Sequence, residues 1–344
     1  MIVVVTGGCG FVGLNLVRRL ARAGGIEVRI VDNLSTGSQG NLEAVLAEDE
    51  AVTVRQDGNA GWVTESAEGS GRIALHVADV RDAGLARGIC EGADAVVNLA
   101  AQTGVQISLE HPEADITQNV LGAFHYLEAC RHAGVKRFIQ ASSAAAAGDA
   151  PPPQREDAPY RPISPYGAGK SAAEAYCSAY WKSFGVETLP LRFANLYGPF
   201  AWQKGSVVAA FCKRGLSGQA LIVEGDGRQT RDFVFAGDLV EVILGALTVS
   251  SEAADGLFGQ PLNVATGVQT RICDLADAVR AQMQHAGRDI AITQGPAREG
   301  DVRISAPDTT RLRHFFQDVA MRPLEDGLPQ TIEWFLGSWA PIDA

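Results

Sequence analysis

The sequence predicts an α/β protein: a doubly wound parallel sheet with a smaller, mixed α/β C-terminal domain. Three observations carry this. Over residues 1–192, short β-branched apolar runs alternate with segments of helical period, the pattern of strands and crossover helices. A glycine-rich turn follows the first run and opens directly into a helix. After Asn195 the texture changes to short segments punctuated by Gly and Pro, and 344 residues exceed what one hydrophobic core usually organises.

Taken in order, the expected strands are residues 2–5, 28–31, 73–77, 95–99, 138–141 and 188–191. None alternates strictly, as expected when helices cover both faces of a parallel sheet. Between the first two, Val12, Leu16 and Leu20 recur at four-residue steps and mark the buried face of a helix whose Arg18, Arg19 and Arg22 fall outside. Residues 48–71 are polar and glycine-rich and read as an excursion at the sheet edge, with no role assigned. Beyond Asn195, residues 271–284 form a helix with Ile272, Leu275, Ala276, Val279 and Met283 on one apolar face. The expected domains are residues 1–192 plus about 233–265 for a dinucleotide and about 193–232 plus 266–344 for a substrate.

Composition narrows the function. With 29 basic against 40 acidic residues the formal charge is −11, which argues against a surface built to neutralise nucleic acid. The hydrophobic share of 46% excludes a disordered chain. The six cysteines are scattered, with no CxxC, and the six histidines show no ligand spacing, so reduced thiols and no metal are expected. No apolar run reaches membrane-spanning length and no secretory leader is evident, so the expected address is the cytoplasm.

The turn after the first strand reads TGGCGFVG, placing Gly7, Gly10 and Gly13 at GxxGxxG spacing. Glycine permits the tight turn and a close backbone approach, and the helix N-terminus offers amides and partial positive charge to a pyrophosphate. The second strand ends in Asp32, nineteen residues beyond Gly13. A carboxylate there accepts from both ribose hydroxyls and repels a 2′-phosphate, which points to NAD rather than NADP in a Rossmann domain. Asp79-Val80 and Leu99-Ala100-Ala101 end two further strands, where ligand crevices of open sheets lie.

Tyr166 and Lys170 stand four residues apart at the start of a helix and so share a face. A tyrosine titrates near about 10 and is a poor base at neutral pH. A neighbouring ammonium, together with an oxidised nicotinamide, favours the phenolate and makes Tyr166 a credible general base for a hydroxyl proton. Ser142 and Ser143 close a strand on the same edge, where a hydroxyl can share the substrate oxygen.

These motifs, with VDNLSTG, NLAAQ, RFANLYGP and GDGRQTRDFV following in order along nearly the whole chain, resemble the extended short-chain dehydrogenase/reductase family of NAD-dependent nucleotide-sugar epimerases and dehydratases, most of all its UDP-glucose/UDP-N-acetylglucosamine 4-epimerase branch. The resemblance implies Ser143 as catalytic hydroxyl, Tyr166 as base and Lys170 as the residue that tunes it and binds the nicotinamide ribose. It implies NAD contacts from Gly7, Gly10, Phe11, Val12, Gly13, Asp32, Asn33, Ser35, Thr36, Gly37, Asp79, Val80, Leu99, Ala100, Ala101, Asn119, Tyr166, Lys170 and Phe193. For the nucleotide-diphosphate sugar it implies Gln102, Thr103, Ser143, Ala144, Asn195, Leu221, Val223, Arg231, Arg298, Asp301 and Ser305, and it implies a homodimer built on two helices of each subunit.

Two departures bear on substrate. Many relatives read VYG where this chain has Ala146-Ala147-Gly148, so an aromatic ring is missing beside the catalytic serine. Dehydratases and uronate decarboxylases place acids after the catalytic hydroxyl, where this chain has Ala144 and Ala145; without an acid, water elimination lacks its proton donor and acceptor. The small Ala147 and Ser305 suggest room for a 2-acetamido or oxidised hexose. The expected activity is inversion of the 4-hydroxyl of a UDP-hexose through a 4-keto intermediate. The alternatives are a dehydratase, decarboxylase or other net-redox enzyme of the same fold, and a non-catalytic NAD-binding sensor.

Overall fold

A computed structural model describes residues 1–58, 60–297 and 303–338, and the chain forms two compact units. The first comprises residues 1–150, 156–192 and 240–262, the second residues 151–155, 193–239 and 263–344.

The first unit is built on β1 (Ile2–Thr6), β2 (Glu27–Asp32), β3 (Val52–Gln56), β4 (Gly61–Ser66), β5 (Gly69–Val77), β6 (Ala95–Asn98), β7 (Arg137–Ser143) and β8 (Glu187–Phe193). The nine-stranded sheet runs from the strand Leu262–Val264 through β8, β7, β6, β1, β2, β5 and β4 to β3. β1 pairs in parallel with β2 and β6, β2 with β5, and β6 with β7. Val3, Val4, Val5, Val96 and Val97 are fully buried, which is why these strands read as continuous apolar runs.

The polar segment 48–71 turns out to be an antiparallel hairpin. β3 pairs with β4 and β4 with β5, extending the parallel sheet at its edge. Alternation supplies the reason: Trp62 and Thr64 are buried on β4 while Glu65 is exposed, so one face is packed and the other solvated.

Helices α1 (Phe11–Ala23), α2 (Gln39–Ala47), α3 (Ala83–Cys90), α4 (Val105–Glu110), α5 (Pro112–Ile116), α6 (Gly122–Ala133) and α7 (Pro165–Phe184) accompany the sheet. Leu14, Leu16, Val17 and Leu20 bury the inner face of α1. Its outer arginines are not merely solvated: Arg18 and Arg22 both donate to the buried carboxylate of Asp49 at 3.0 and 2.6 Å, tying α1 to the root of the hairpin. Burial opposes the charge on Asp49, but Arg22, the Ala51 amide and Arg18 together hold its carboxyl below the usual range. Tyr126, Leu127 and Phe138 pack with Val4, Val31 and Val96 in one core cluster. Cys90, Cys130 and Cys177 lie in it as reduced apolar side chains, and burial pushes the Cys130 and Cys177 thiols well up. Arg137 on β7 donates to Glu187 on β8 at 3.0 Å and to the carbonyls of Ala246 and Leu247 at 2.9 Å.

The second unit carries β9 (Asn195–Tyr197), β10 (Leu221–Glu224), β11 (Thr230–Arg231), β12 (Phe233–Phe235), β14 (Thr270–Arg271) and β15 (Ile292–Gly295), with Leu262–Val264 counted as β13. They pair as β9 with β12 and β10 with β15, both parallel, and β11 with β14, antiparallel. Around them lie α8 (Val207–Leu216), α10 (Ile272–His285), α11 (Thr310–Phe315) and α12 (Leu324–Ser338), with α9 (Ala236–Thr248) leading back to the first unit. α10 buries the five residues whose spacing marked its apolar face. Asp232, 1% exposed, anchors a turn by accepting from the Thr266 amide at 2.9 Å and the Gly267 amide at 2.7 Å.

Phe138 is fully buried, so Phe138→Ala is expected to cost about 3–5 kcal/mol. A urea titration should show a lower midpoint with unchanged slope.

Candidate active site

The site grows from the C-terminal ends of the parallel strands. Across β1, β6 and β7 the register sets Thr6 beside Asn98 and Asn98 beside Gln140. Their side chains form a buried chain: Thr6 Oγ1 donates to Asn98 Oδ1 at 2.6 Å, and Asn98 Nδ2 donates to Gln140 Oε1 at 2.8 Å. Thr6 Oγ1 also accepts the Ala100 amide at 3.1 Å, fixing the peptide after β6. Buried polar groups satisfied in this way lock the strand ends in place.

Against that peptide lies the glycine turn. Gly7 adopts a φ of 69°, and a Cβ there would sit 2.8 Å from the Ala100 amide nitrogen. A Cβ on Gly13 would lie 2.2 Å from the Gly7 carbonyl oxygen, and one on Gly37 would lie 2.2 Å from that of Cys9. Any side chain would fill this cradle. Gly10 caps α1 without a side-chain hydrogen bond. Asp32 closes β2 and accepts from the Cys9 and Leu34 amides, both at 2.9 Å. Its carboxylate is thereby held against the turn. Asn33 hydrogen-bonds Asp79 and accepts the Ser35 amide at 3.1 Å. The Arg81 guanidinium, 2.7 Å from Asp79, holds that carboxyl down at about 2.

Tyr166 and Lys170 enter on the first turns of α7, which Ser164 caps by accepting the Gly167 amide at 3.1 Å and Pro165 opens. Ser143, at the end of β7, hydrogen-bonds the phenol and accepts the Ala145 amide at 3.2 Å. Lys170 is 2% exposed. Its Nζ donates to the Ala141 carbonyl at 2.9 Å and lies 5.7 Å from the centre of the Tyr166 ring. Burial pulls the ammonium down to about 8, against the opposing charges of Asp115 and Glu174. Burial also pushes the phenol above its ordinary value, while the Ser143 hydrogen bond pulls the other way.

One helical turn beyond Lys170 stands Glu174, fully enclosed. It takes Ser142 Oγ as a donor and pairs with Arg192 of β8, Nη2 to Oε2 at 2.8 Å. Asn119 occupies a π-helical turn, Thr117–Leu121, and donates to the Gln102 carbonyl and to Asp115 Oδ2, both at 3.0 Å. Asp115, Glu174 and Arg192 went unnoticed in the sequence. Their only signal is an Asp four residues before Asn119 and a Glu four after Lys170, spacings that mean little until the helices are packed.

The first unit thus holds Ser143, Ala144, Tyr166, Lys170, Gln102 and Thr103 with the glycine turn, Asp32 to Gly37, Asp79, Val80, the Leu99 to Ala101 peptides and Asn119. Ala147 is 4% exposed, so its small side chain is packed and opens no space. The second unit holds Phe193, Asn195, Leu221, Val223, Arg231 and Ser305. There Leu221 and Val223 are buried and Ile222 exposed, and the Thr230 carbonyl accepts from Arg231 Nη1 at 2.7 Å and from the Ser305 amide at 3.3 Å. Arg298 and Asp301 lie outside the described residues.

A glycine cradle at the first βα turn, an acid at the end of β2 and a serine–tyrosine–lysine group beside the same strand ends define a dinucleotide-dependent enzyme of the short-chain dehydrogenase/reductase class. The model of the NAD dependent epimerase/dehydratase family matches residues 3–265, and the chain belongs to that family. It is 35% identical over 337 residues to a UDP-glucose 4-epimerase of Mycolicibacterium smegmatis, covering 96% of this chain and 97% of that protein. Among solved structures it is similar to a UDP-glucose 4-epimerase of Thermotoga maritima with UDP-glucose, at 30% identity and a TM-score of 0.81, covering 98% of this chain and 99% of that one. It is also similar to a UDP-glucose 4-epimerase of Thermus thermophilus in complex with NAD, at 30% identity and a TM-score of 0.78, covering 98% and 100%.

Removing Glu174 leaves a buried arginine unpaired. Glu174→Ala should cost about 3–5 kcal/mol by denaturant unfolding, and the double replacement Glu174→Leu with Arg192→Met should recover most of it.

Proposed function

We propose that the protein is an NAD-dependent nucleotide-sugar 4-epimerase acting on a UDP-hexose. The observation that carries this reading is the Ser143–Tyr166–Lys170 group at the strand ends beside the glycine cradle, followed by a turn, Ala144–Ala146, that holds no acid. Relatives alike over nearly the full chain are named UDP-glucose 4-epimerases.

The residues present fit NAD. The backbone of Gly7, Gly10 and Gly13 with the start of α1 would hold the pyrophosphate, Asp32 the adenosine ribose, Asn33, Asp79 and Val80 the adenine, and Asn119, Lys170 and Phe193 the nicotinamide end. Bound there, NAD supplies a reversible two-electron acceptor for C4 of the sugar and positive charge beside the phenol. Tyr166 removes the proton of the 4-hydroxyl, and Lys170 stabilises the resulting phenolate. Ser143 shares a hydrogen bond with the same sugar oxygen. After the 4-keto sugar presents its other face, Tyr166 returns the proton and the enzyme is restored. Asn195, Arg231, Arg298 and Asp301 would bind the diphosphate and ribose, with Leu221, Val223 and Ser305 near the base and sugar. The first unit would then be the NAD domain and the second the nucleotide-sugar domain.

A homodimer forms part of this proposal. Leu121, Tyr176 and Phe184 expose 41%, 43% and 51% of their surfaces around α6 and α7, an apolar face that a second copy would cover. Buried free thiols suit a reducing compartment, and we assign the protein to the cytoplasm.

Incubation with a panel of UDP-, GDP-, CDP- and dTDP-sugars should interconvert a UDP-4-epimer pair without change of mass; a protein with bound NAD that interconverts none would overturn the reading. Tyr166→Phe should lower kcat by about 10²–10⁴-fold while NAD stays bound. Because Lys170 must be charged to stabilise the phenolate, activity should fall as pH rises through about 8, seen in the alkaline limb of the kcat/KM profile.

A further inference from the structure

Lys170 is enclosed by charged and titratable groups from several elements. Tyr166 and Glu174 flank it on α7, Asp115 faces it from α5, and Arg192 on β8 reaches it through Glu174. The Tyr160 ring lies 5.5 Å from the Arg192 guanidinium. Ser143 on β7 contributes a neutral hydroxyl to Tyr166.

The two carboxylates near Lys170 are not equivalent. Glu174 is spoken for: Arg192 approaches it through three contacts at 2.8, 3.0 and 3.1 Å, and Ser142 adds a fourth donor. Asp115 has no cation of its own among the described residues. It is 1% exposed, its Oδ2 accepts only the Asn119 amide group, and its Oδ1 has no hydrogen-bond partner. A carboxylate oxygen left bare in the interior is costly unless a charge compensates it. The packing shows which charge can. A Cβ on Gly169 would lie 2.9 Å from Asp115 Oδ1, so a bare glycine lets the carboxylate press against the turn of α7 that carries Lys170.

We propose that Asp115 is a positioning residue for the site: the counter-charge that keeps Lys170 an ammonium beneath Tyr166. This rests on the catalytic roles proposed for Tyr166 and Lys170. Burial works against both charges of the pair and each opposes it in the other: it drives Lys170 toward the neutral amine with Asp115 leading the charges that resist, and it raises the Asp115 carboxyl while Asn119 and Lys170 hold it down. Asp115 also disfavours the Tyr166 phenolate; the benefit is a lysine that remains charged where solvent cannot keep it so.

The chain has five lysines, few enough to follow Lys170 Nζ directly by NMR with isotope-labelled lysine, assigned by Lys170→Met. In the NAD-loaded protein, Asp115→Asn should lower the Lys170 titration midpoint by about one pH unit, and the alkaline limb of kcat/KM should move down with it. A residue that served only to hold Asn119 would lower kcat or stability at every pH and leave the midpoint in place, and that result would overturn the proposal, as would an upward shift. Should Asp115→Asn not fold, Asp115→Ser removes the same charge and keeps an acceptor for Asn119. The midpoint is read without substrate, so a chain that epimerises nothing but shows the shift refutes the activity and leaves the counter-charge standing.

Discussion

A lysine ammonium enclosed at 2% exposure is the constraint the rest of the catalytic side answers to. Removing such a charge from water costs several kcal/mol unless it is paired and hydrogen-bonded. The Ala141 carbonyl supplies one partner and fixes Nζ against β7. Two carboxylates enter from α5 and α7, and one of them brings Arg192 with it, so the group of four charges sums to zero within the interior. Satisfying Lys170 therefore dictates what stands on β7, on β8 and along both neighbouring helices. Ser142 and Ser143 divide the work on adjacent positions of one strand. Alternation sends Ser142 inward to Glu174 and Ser143 to the phenol.

The nucleotide end obeys a different rule, that of space. Gly7, Gly13 and Gly37 are held so closely that any Cβ would strike backbone, and the Asp32 carboxylate is braced by the Cys9 amide of the glycine turn and the Leu34 amide just beyond β2. Nothing there depends on the charge of the chain as a whole. A net charge of −11 does not bar an anionic cofactor from such a turn, since backbone amides and a helix end act over a few ångströms while distant surface acidity is screened.

The parallel strands, the glycine turn, Asp32 and the Tyr166–Lys170 pair were legible because each is a local pattern, and local patterns survive in a linear text. The boundaries shifted outward where backbone pairing continues past the apolar run, as on β7 through Ser143 and on β5 back to Gly69. Residues 48–71 were placed at the sheet edge, but their hairpin was hidden because polar and glycine residues masked the short alternation of β4. Arg18 and Arg22 looked solvated until Asp49 was brought to them across the hairpin root. Ala147 suggested an open space until packing showed it buried.

By itself the sequence determined the order of the parallel strands of the first unit, the turn that only glycine can form, and the residue types able to move a proton, since these follow from periodicity, sterics and side-chain chemistry at short range. Tertiary structure alone decided which buried carboxylate is neutralised and which is left to face Lys170. Asp115, Lys170, Glu174 and Arg192 come from three segments, α5, α7 and β8, spread over 78 positions. Charges interact through space, and only the folded interior, by excluding water, makes the distance between them matter.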